Sequence, residues 1–317
     1  MDALVGLLDG PRARSAFVLR SIMNPPWSVR IQDEAPLSLV AMVRGEAWVV
    51  FDDGDRTALG AGDIVITRGP EPYLFADDPG TPPQVVIHPG ERCTTPDGEE
   101  LAQTMDLGVR TWGNDPDGSV MMLIGTYLDP GEIGQRLLRA LPRLVVQRRD
   151  VRDSPLVPLL ENEISKDEPG QEVVLDRLLD LLLIAVLRAW FSRPDAEAPA
   201  WYHANSDPIV GPALRMLQNN PAQPWTVASL AAETGVSRAA LARRFTDLVG
   251  EPPMTFLTGW RIALAADLLR EPGASVGAVA QQVGYGSAFS LSSAFKRIRG
   301  VSPSEHRRAA RPSPTGS

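Results

Sequence analysis

Residues 225–245 and 274–295 carry one pattern twice, about fifty residues apart, and an internal repeat constrains a fold more tightly than any single motif. In the first copy Val227, Leu230 and Ala231 fall on one side of a short helix that Gly235 ends, because the residue closing a helix commonly needs a positive φ. Ser237 then caps a second helix that points Leu241, Phe245 and Leu248 inward. The second copy repeats this with Val276, Val279 and Ala280, then Gly284, a cap at Ser287, and Leu291 and Phe295; Gly286 is one extra residue in its turn. Agreement runs past the helices, since Gly250 and Pro253 are matched by Gly300 and Pro303. The pattern predicts two helix-turn-helix units, over about 227–248 and 276–298.

Between the copies, 255–271 reads as one helix with Trp260, Leu264, Leu268 and Leu269 on its buried face, ended by Pro272 and Gly273. At about 1.5 Å per residue it makes a rod of roughly 25 Å. That length can set two recognition helices close to one DNA turn apart, about 34 Å, in successive major grooves. Charge supports DNA as the partner. The whole chain has a formal net charge of −8, yet from Asn205 onward 12 Arg and Lys face 7 Asp and Glu, leaving 19 against 32 in residues 1–204. An acidic module is joined to a basic one, and phosphate responds to local charge. Arg238, Ala239, Ala242, Arg243 and Thr246 are left outward on the first recognition helix.

The segments 225–231, 237–245, 249–254, 260–265, 283–287, 294–297 and 300–303 together resemble the DNA-binding domain of the AraC/XylS family of bacterial transcription regulators. The resemblance covers about a hundred residues, 207–308. It implies that Ala239, Ala242 and Arg243 face bases, with the cap Ser237 and Arg238, Arg244 and Thr246 nearer the backbone. Arginine is the usual reader of a guanine edge, which singles out Arg243 for specificity. In the second unit Ala288, Phe289, Ser292 and Ser293 take the corresponding places, while Ser287 and Lys296 suit phosphate. The family often has arginine or glutamine where Ser293 and Ala288 stand, and small side chains supply little bidentate readout. The second unit is therefore expected to anchor more than it specifies. The resemblance further implies double-stranded promoter DNA and RNA polymerase as partners, with activation as the expected output and repression as the other, and a homodimer as a candidate state.

The remainder has a different texture. Short β-rich runs from about residue 16 to 127 alternate with Gly, Pro and Asp turns, as in an antiparallel sandwich or barrel. Segments 154–167 and 171–193 then space leucines helically. The predicted fold class is α+β: an antiparallel β-barrel or sandwich over 1–145, a helical linking or dimerising segment over 146–200, and an all-α domain over 207–308. Residues 43–49 and 59–70 resemble the cupin-type sensor domains found ahead of such DNA-binding units. Cupin enzymes hold a metal with early histidines, but no histidine precedes His88, and Pro72 stands where the later ligand would fall. The ordinary cupin metal site is thus absent, and an enzyme with an appended DNA-binding domain lacks its catalytic constellation.

Two narrower readings of the barrel follow. His88 and Cys93 carry an imidazole and a thiol that suit a transition metal or a redox signal, set against a structural role for both. Trp48, Tyr73 and Phe75 are candidate walls of a pocket for a small organic effector, set against ordinary core. A single cysteine excludes an intramolecular disulfide. Residues 1–9 lack a secretory pattern, and the most apolar stretch, 178–191, is interrupted by Asp180 and Arg188 and falls short of the roughly 20 residues of a membrane span. A soluble cytoplasmic regulator is expected, with 194–199 as a linker and 311–317 as a frayed tail; a ligand-independent architectural DNA binder is the competing class.

Overall fold

The computed structural model describes residues 17–128, 131–148, 155–193 and 200–309; the segments 1–9, 194–199 and 311–317 discussed above lie outside them. The described chain forms two compact units. Residues up to 128 together with 141–193 make one, and 131–140 together with 200–309 make the other.

The first unit is built from β1 (Phe17–Met23), β2 (Ser28–Ile31), β3 (Leu37–Arg44), β4 (Ala47–Phe51), β5 (Arg56–Leu59), β6 (Ile64–Arg68) and β7 (Tyr73–Ala76). It continues through β8 (Val85–Ile87), β9 (Cys93–Thr94), β10 (Asp106–Gly108), β11 (Thr111–Gly113), β12 (Val120–Tyr127) and β13 (Leu144–Gln147). Two sheets result, ordered β10-β11-β1-β12-β3-β6-β13 and β5-β4-β7-β2-β8-β9. Most pairings are antiparallel; β1 with β11 and β2 with β8 are parallel.

Side-chain alternation explains how these sequences enclose a core. In β4, Ala47, Val49 and Phe51 are buried while Trp48 and Val50 between them are half-buried, the period of two that a sheet with one packed face imposes. Strand β3 is buried along nearly its whole length. Val40 and Met42 join the core between the sheets, and the alternate Leu39 and Ala41 are buried as well. Helix α3, introduced below, packs on this sheet: a Cβ added at Gly125 of β12 would lie 2.4 Å from Leu179 Cδ1. A strand covered on both faces reads as a continuous apolar run.

The helices are α1 (Gly131–Leu138), α2 (Leu156–Ile164), α3 (Gln171–Phe191), α4 (Ala200–Asn205), α5 (Val210–Asn219), α6 (Val227–Glu233), α7 (Arg238–Val249), α8 (Pro253–Leu268), α9 (Val276–Gln282), α10 (Ala288–Arg299) and α11 (Pro303–Ala309). Helices α2 and α3, from the segment expected to link or dimerise, belong to the same compact unit as the sheets. Helix α1 follows β12 in the chain but packs in the second unit, against α8.

The second unit has two cores that share one rod. Leu230, Leu241, Phe245, Phe256, Leu257 and Trp260 belong to the first, and Ile262, Ala265, Leu269, Val279, Leu291 and Phe295 to the second. Helix α8 thus buries one face in each core, which is why its apolar residues wrap around it. It begins at Pro253, two residues before the expected start, because proline suits the first helical turn. Among the described residues no helix is long and apolar enough to cross a membrane.

Candidate nucleic-acid interface and barrel cavity

The two recognition helices are capped alike. Ser237 accepts the Ala240 N–H at 3.2 Å at the start of α7, and Ser287 forms a capping box with Ser290 at the start of α10. Both helices end on left-handed glycines, Gly250 and Gly300. On α7, Arg238, Ala239 and Arg243 are exposed and Ala242 is half-buried, in the outward register the sequence predicts. Arg243 enters none of the ion pairs of the described residues, so its guanidinium is free for an outside acceptor.

Two predicted contacts are already committed within the protein. Arg244 forms a bidentate ion pair with Asp207, Nη2 to Oδ2 at 2.6 Å and Nε to Oδ2 at 2.9 Å. The guanidinium holds the Asp207 carboxyl down, to about 2. Asp207 also accepts the N–H groups of Ile209 and Val210 at 2.9 Å, so the pair fastens the recognition helix to the start of α5. The Thr246 hydroxyl donates to the Ala242 carbonyl of its own helix at 2.9 Å. Arg244 and Thr246 therefore each have a partner within the protein, and Arg244 holds α7 in position. Ser237 and Ser287 likewise spend their hydroxyls as caps.

On α10, Ala288, Phe289, Ser293 and Lys296 are exposed and Ser292 is half-buried. Phe289 is 82% exposed, an unusual state for a ring that elsewhere in this unit is core. Arg297 is exposed nearby and was not singled out by the sequence, because nothing in the repeat distinguishes it. Arg299, at the end of α10, is paired with Glu132 of α1, and Glu132 N–H donates to Asp267 of α8 at 2.6 Å. Burial opposes charge on Glu132, yet Arg299 prevails and its carboxyl lies below its ordinary value.

A joint between the two helix-turn-helix units was also missed. Arg261 of α8 donates from Nε to the Pro221 carbonyl at 2.6 Å and from Nη2 to the Gln223 carbonyl at 2.8 Å, and its guanidinium lies 5.9 Å from the Tyr285 ring centroid. Gly284, at φ +81°, sits against the same loop: a Cβ there would be 2.7 Å from the Ala222 carbonyl oxygen. The turn of the second unit is therefore seated on the loop that leads into the first. The available signal was an arginine in the middle of an apolar helix.

The β unit has a partly open cavity of about 190 Å³ between its sheets. Its walls follow the strand period: Val29 and Ile31 from β2, Tyr73 and Phe75 from β7, Met122 and Ile124 from β12. Trp27 and Phe75 stack with centroids 6.2 Å apart. Of the three aromatic residues expected to line a pocket, Tyr73 and Phe75 do so and Trp48 does not. Trp48 pairs with Ala76 and Val49 with Phe75, so the one-residue offset places Trp48 on the opposite face of the sheet.

Cys93 also lines this cavity. Burial, and then Glu100, push its thiol up to about 11, which keeps it protonated and a poor nucleophile near neutrality. The His88 ring is held on both sides, Nδ1 3.2 Å from the Gln32 amide nitrogen and Nε2 3.0 Å from the Thr94 hydroxyl. Among the described residues no group of three or more His, Cys, Asp or Glu could hold a metal. The arrangement of His88 and Cys93 is that of a hydrogen-bonded strand end beside a buried thiol.

Two capped recognition helices on one shared rod, in a chain that also carries a β sandwich with an internal cavity, define a DNA-binding regulator. A family model described as cupin matches residues 2–192, and one described as a helix-turn-helix domain matches 230–309. A Streptomyces lividans protein named as an AraC-like transcription regulator is 31% identical over 314 residues, spanning 97% of this chain and 98% of the relative. A Streptomyces antibioticus protein of the same description is 30% identical over 317 residues, 98% and 100% of the two chains. The HTH-type transcriptional regulator AlkR of Acinetobacter baylyi is 26% identical over 97% of this chain and 99% of its own. Among solved structures, the DNA-binding domain of AdpA in complex with a target DNA is 35% identical, with a TM-score of 0.31, covering 33% of this chain and 93% of that one. ToxT of Vibrio cholerae covers 95% of this chain and 99% of its own at 13% identity and a TM-score of 0.35. The chain belongs to the AraC-like transcription regulators: it has a cupin N-terminal domain and an AraC-type helix-turn-helix DNA-binding domain.

Proposed function

We propose that the chain is an effector-responsive cytoplasmic activator that reads a two-part promoter site through α7 and α10 and answers to a small molecule held in the β-sandwich cavity. The observation that carries the first half is the rod α8, whose opposite faces complete the cores beneath both recognition helices. With 16 residues it spans about 24 Å, a length suited to helices entering successive major grooves about 34 Å apart. Arg243 reads a guanine in the first half-site, while Ala288, Phe289 and Ser293 offer the second half-site mostly apolar and phosphate contact. The cavity supports the second half, being lined by side chains from several strands and of a volume that admits a small ligand, with an opening to solvent.

A candidate output route is α1, which leaves the β unit after β12 and packs against α8, where Glu132 meets Arg299 of α10. RNA polymerase is the expected downstream partner. A second copy of the chain is the expected partner in solution, through α3, where Val173 is 60% and Leu181 50% exposed.

Selection of bound fragments from random double-stranded DNA, with and without cell extract as a source of effector, tests the proposal. A two-part consensus whose recovery changes with extract is expected. A consensus with one contacted segment, or none, overturns the two-part reading and favours an architectural binder.

A further inference from the structure

We propose that the β-sandwich cavity takes a small apolar organic cation, an arylalkylamine in class, with its ring among Trp27, Tyr73, Phe75 and Trp112 and its ammonium at Asp33. This rests on the reading above that the cavity holds the effector, and adds the chemistry the effector must have.

Size comes first. An apolar cavity of about 150 Å³ accepts benzene, so one of about 190 Å³ accepts a single ring carrying a short chain. Four aromatic side chains line it, and an ammonium or a ring is favoured against aromatic faces.

Charge then narrows the class. The charged side chains lining the cavity are Asp33 and Glu91, and among the described residues lining it there is no Lys, Arg or His. Asp33 accepts the Ala35 N–H at 3.1 Å and meets no basic group of the described residues in an ion pair. Burial raises its carboxyl above the ordinary value. A carboxylate in that position is short of solvation, and a cation supplies what water does not. An anion would meet two acidic side chains and no counter-charge. A sugar or polyol fits no better, because its hydroxyls need partners. Of the lining hydroxyls, that of Tyr73 is taken by Thr67 at 3.0 Å and Ser38 and Thr126 face each other at 3.4 Å, which leaves Ser21 and the two carboxylates, too few partners for a polyol among apolar walls.

Calorimetric titration of the full chain with three probes of one size, phenethylamine, 2-phenylethanol and phenylacetate, tests the class. Phenethylamine should bind at least tenfold tighter than the alcohol, and phenylacetate should be the weakest. Asp33→Asn should remove the amine's advantage and leave the alcohol within about twofold, with a melting temperature no lower than that of the wild type showing that the fold is intact. Equal or tighter binding of phenylacetate, an amine preference that survives Asp33→Asn, or no binding of any probe at millimolar concentration overturns the class. Failure of the underlying reading is distinguishable: a folded Ile124→Trp variant, whose cavity is filled, would still show the wild-type response to extract in the DNA selection.

Discussion

Alanine substitution at the two turn glycines of the repeat isolates one contact. Gly235 and Gly284 hold the same place in their copies and both have positive φ, +69° and +81°. A Cβ in the left-handed region costs about 1–2 kcal/mol at either position. At Gly235 nothing lies within 4 Å of that Cβ. At Gly284 the Cβ would stand 2.7 Å from the Ala222 carbonyl oxygen and 2.8 Å from both Ala222 Cα and Arg261 Nη2. Two of those three atoms are backbone, so relief requires moving the loop, and overpacking of this kind adds about 1–3 kcal/mol. Gly235→Ala should thus destabilise the second unit by about 1–2 kcal/mol and Gly284→Ala by about 2–5 kcal/mol.

Scanning calorimetry of the full chain, following the transition that DNA shifts upward, reads the difference as a lower melting temperature for Gly284→Ala. The DNA-binding readout is more selective. Because Gly284 seats the second turn on the loop before α6, Gly284→Ala should weaken binding to a two-part probe more than to either half-site alone, whereas Gly235→Ala should not discriminate. Equal losses for the two variants, in melting temperature and on the two-part probe, would refute the idea that this contact sets the spacing of the readers.

Three further outcomes follow from individual side chains. Arg243→Ala should relax selectivity at one guanine by about 1–3 kcal/mol, seen as loss of preference at a single position in competition binding, with little change elsewhere. Asp207→Asn should destabilise the second unit by about 1 kcal/mol at neutral pH. The Asp207 carboxyl is depressed, so its contribution is present above its ordinary value and fades as pH falls from about 4 through about 2; the gap between variant and wild type in urea midpoint should close over that range. Asp176 on α3 behaves oppositely, its carboxyl pushed up to about 6 by burial and then by Glu172 and Asp180. The folded β unit therefore favours the protonated form, loses stability as pH rises from about 4 to about 6, and should be stabilised above that by Asp176→Asn in the same assay.

The repeat was legible because caps, turn glycines and helical period are local, and Ser237, Gly235, Ser287 and Gly284 take those roles in the structure. Strand order was not legible, since β1 pairs with β12 across about a hundred residues of chain. The pocket residues divide by strand phase: Tyr73 and Phe75 were readable as aromatic strand residues, but the side on which Trp48 falls depends on its register with β7. The ion pair of Arg244 was not legible because its partner, Asp207, lies 37 residues away in sequence. The leucines of helix α3 wrap widely, which pointed to a helix buried on more than one side, against the β unit, a second copy or both, without saying which residues meet which. Some of them, including Leu179, Leu182 and Leu183, are buried, while Leu181 remains exposed.

The central claim is that one chain carries two unequal DNA readers on a single rod. A base-substitution scan of the selected site, reading the affinity of the purified chain for every single-base variant, addresses it most directly. Two clusters of sensitive positions about one helical turn apart are expected, the steeper of which flattens in Arg243→Ala. A single cluster, or two clusters of equal steepness that Arg243→Ala leaves unchanged, would contradict it.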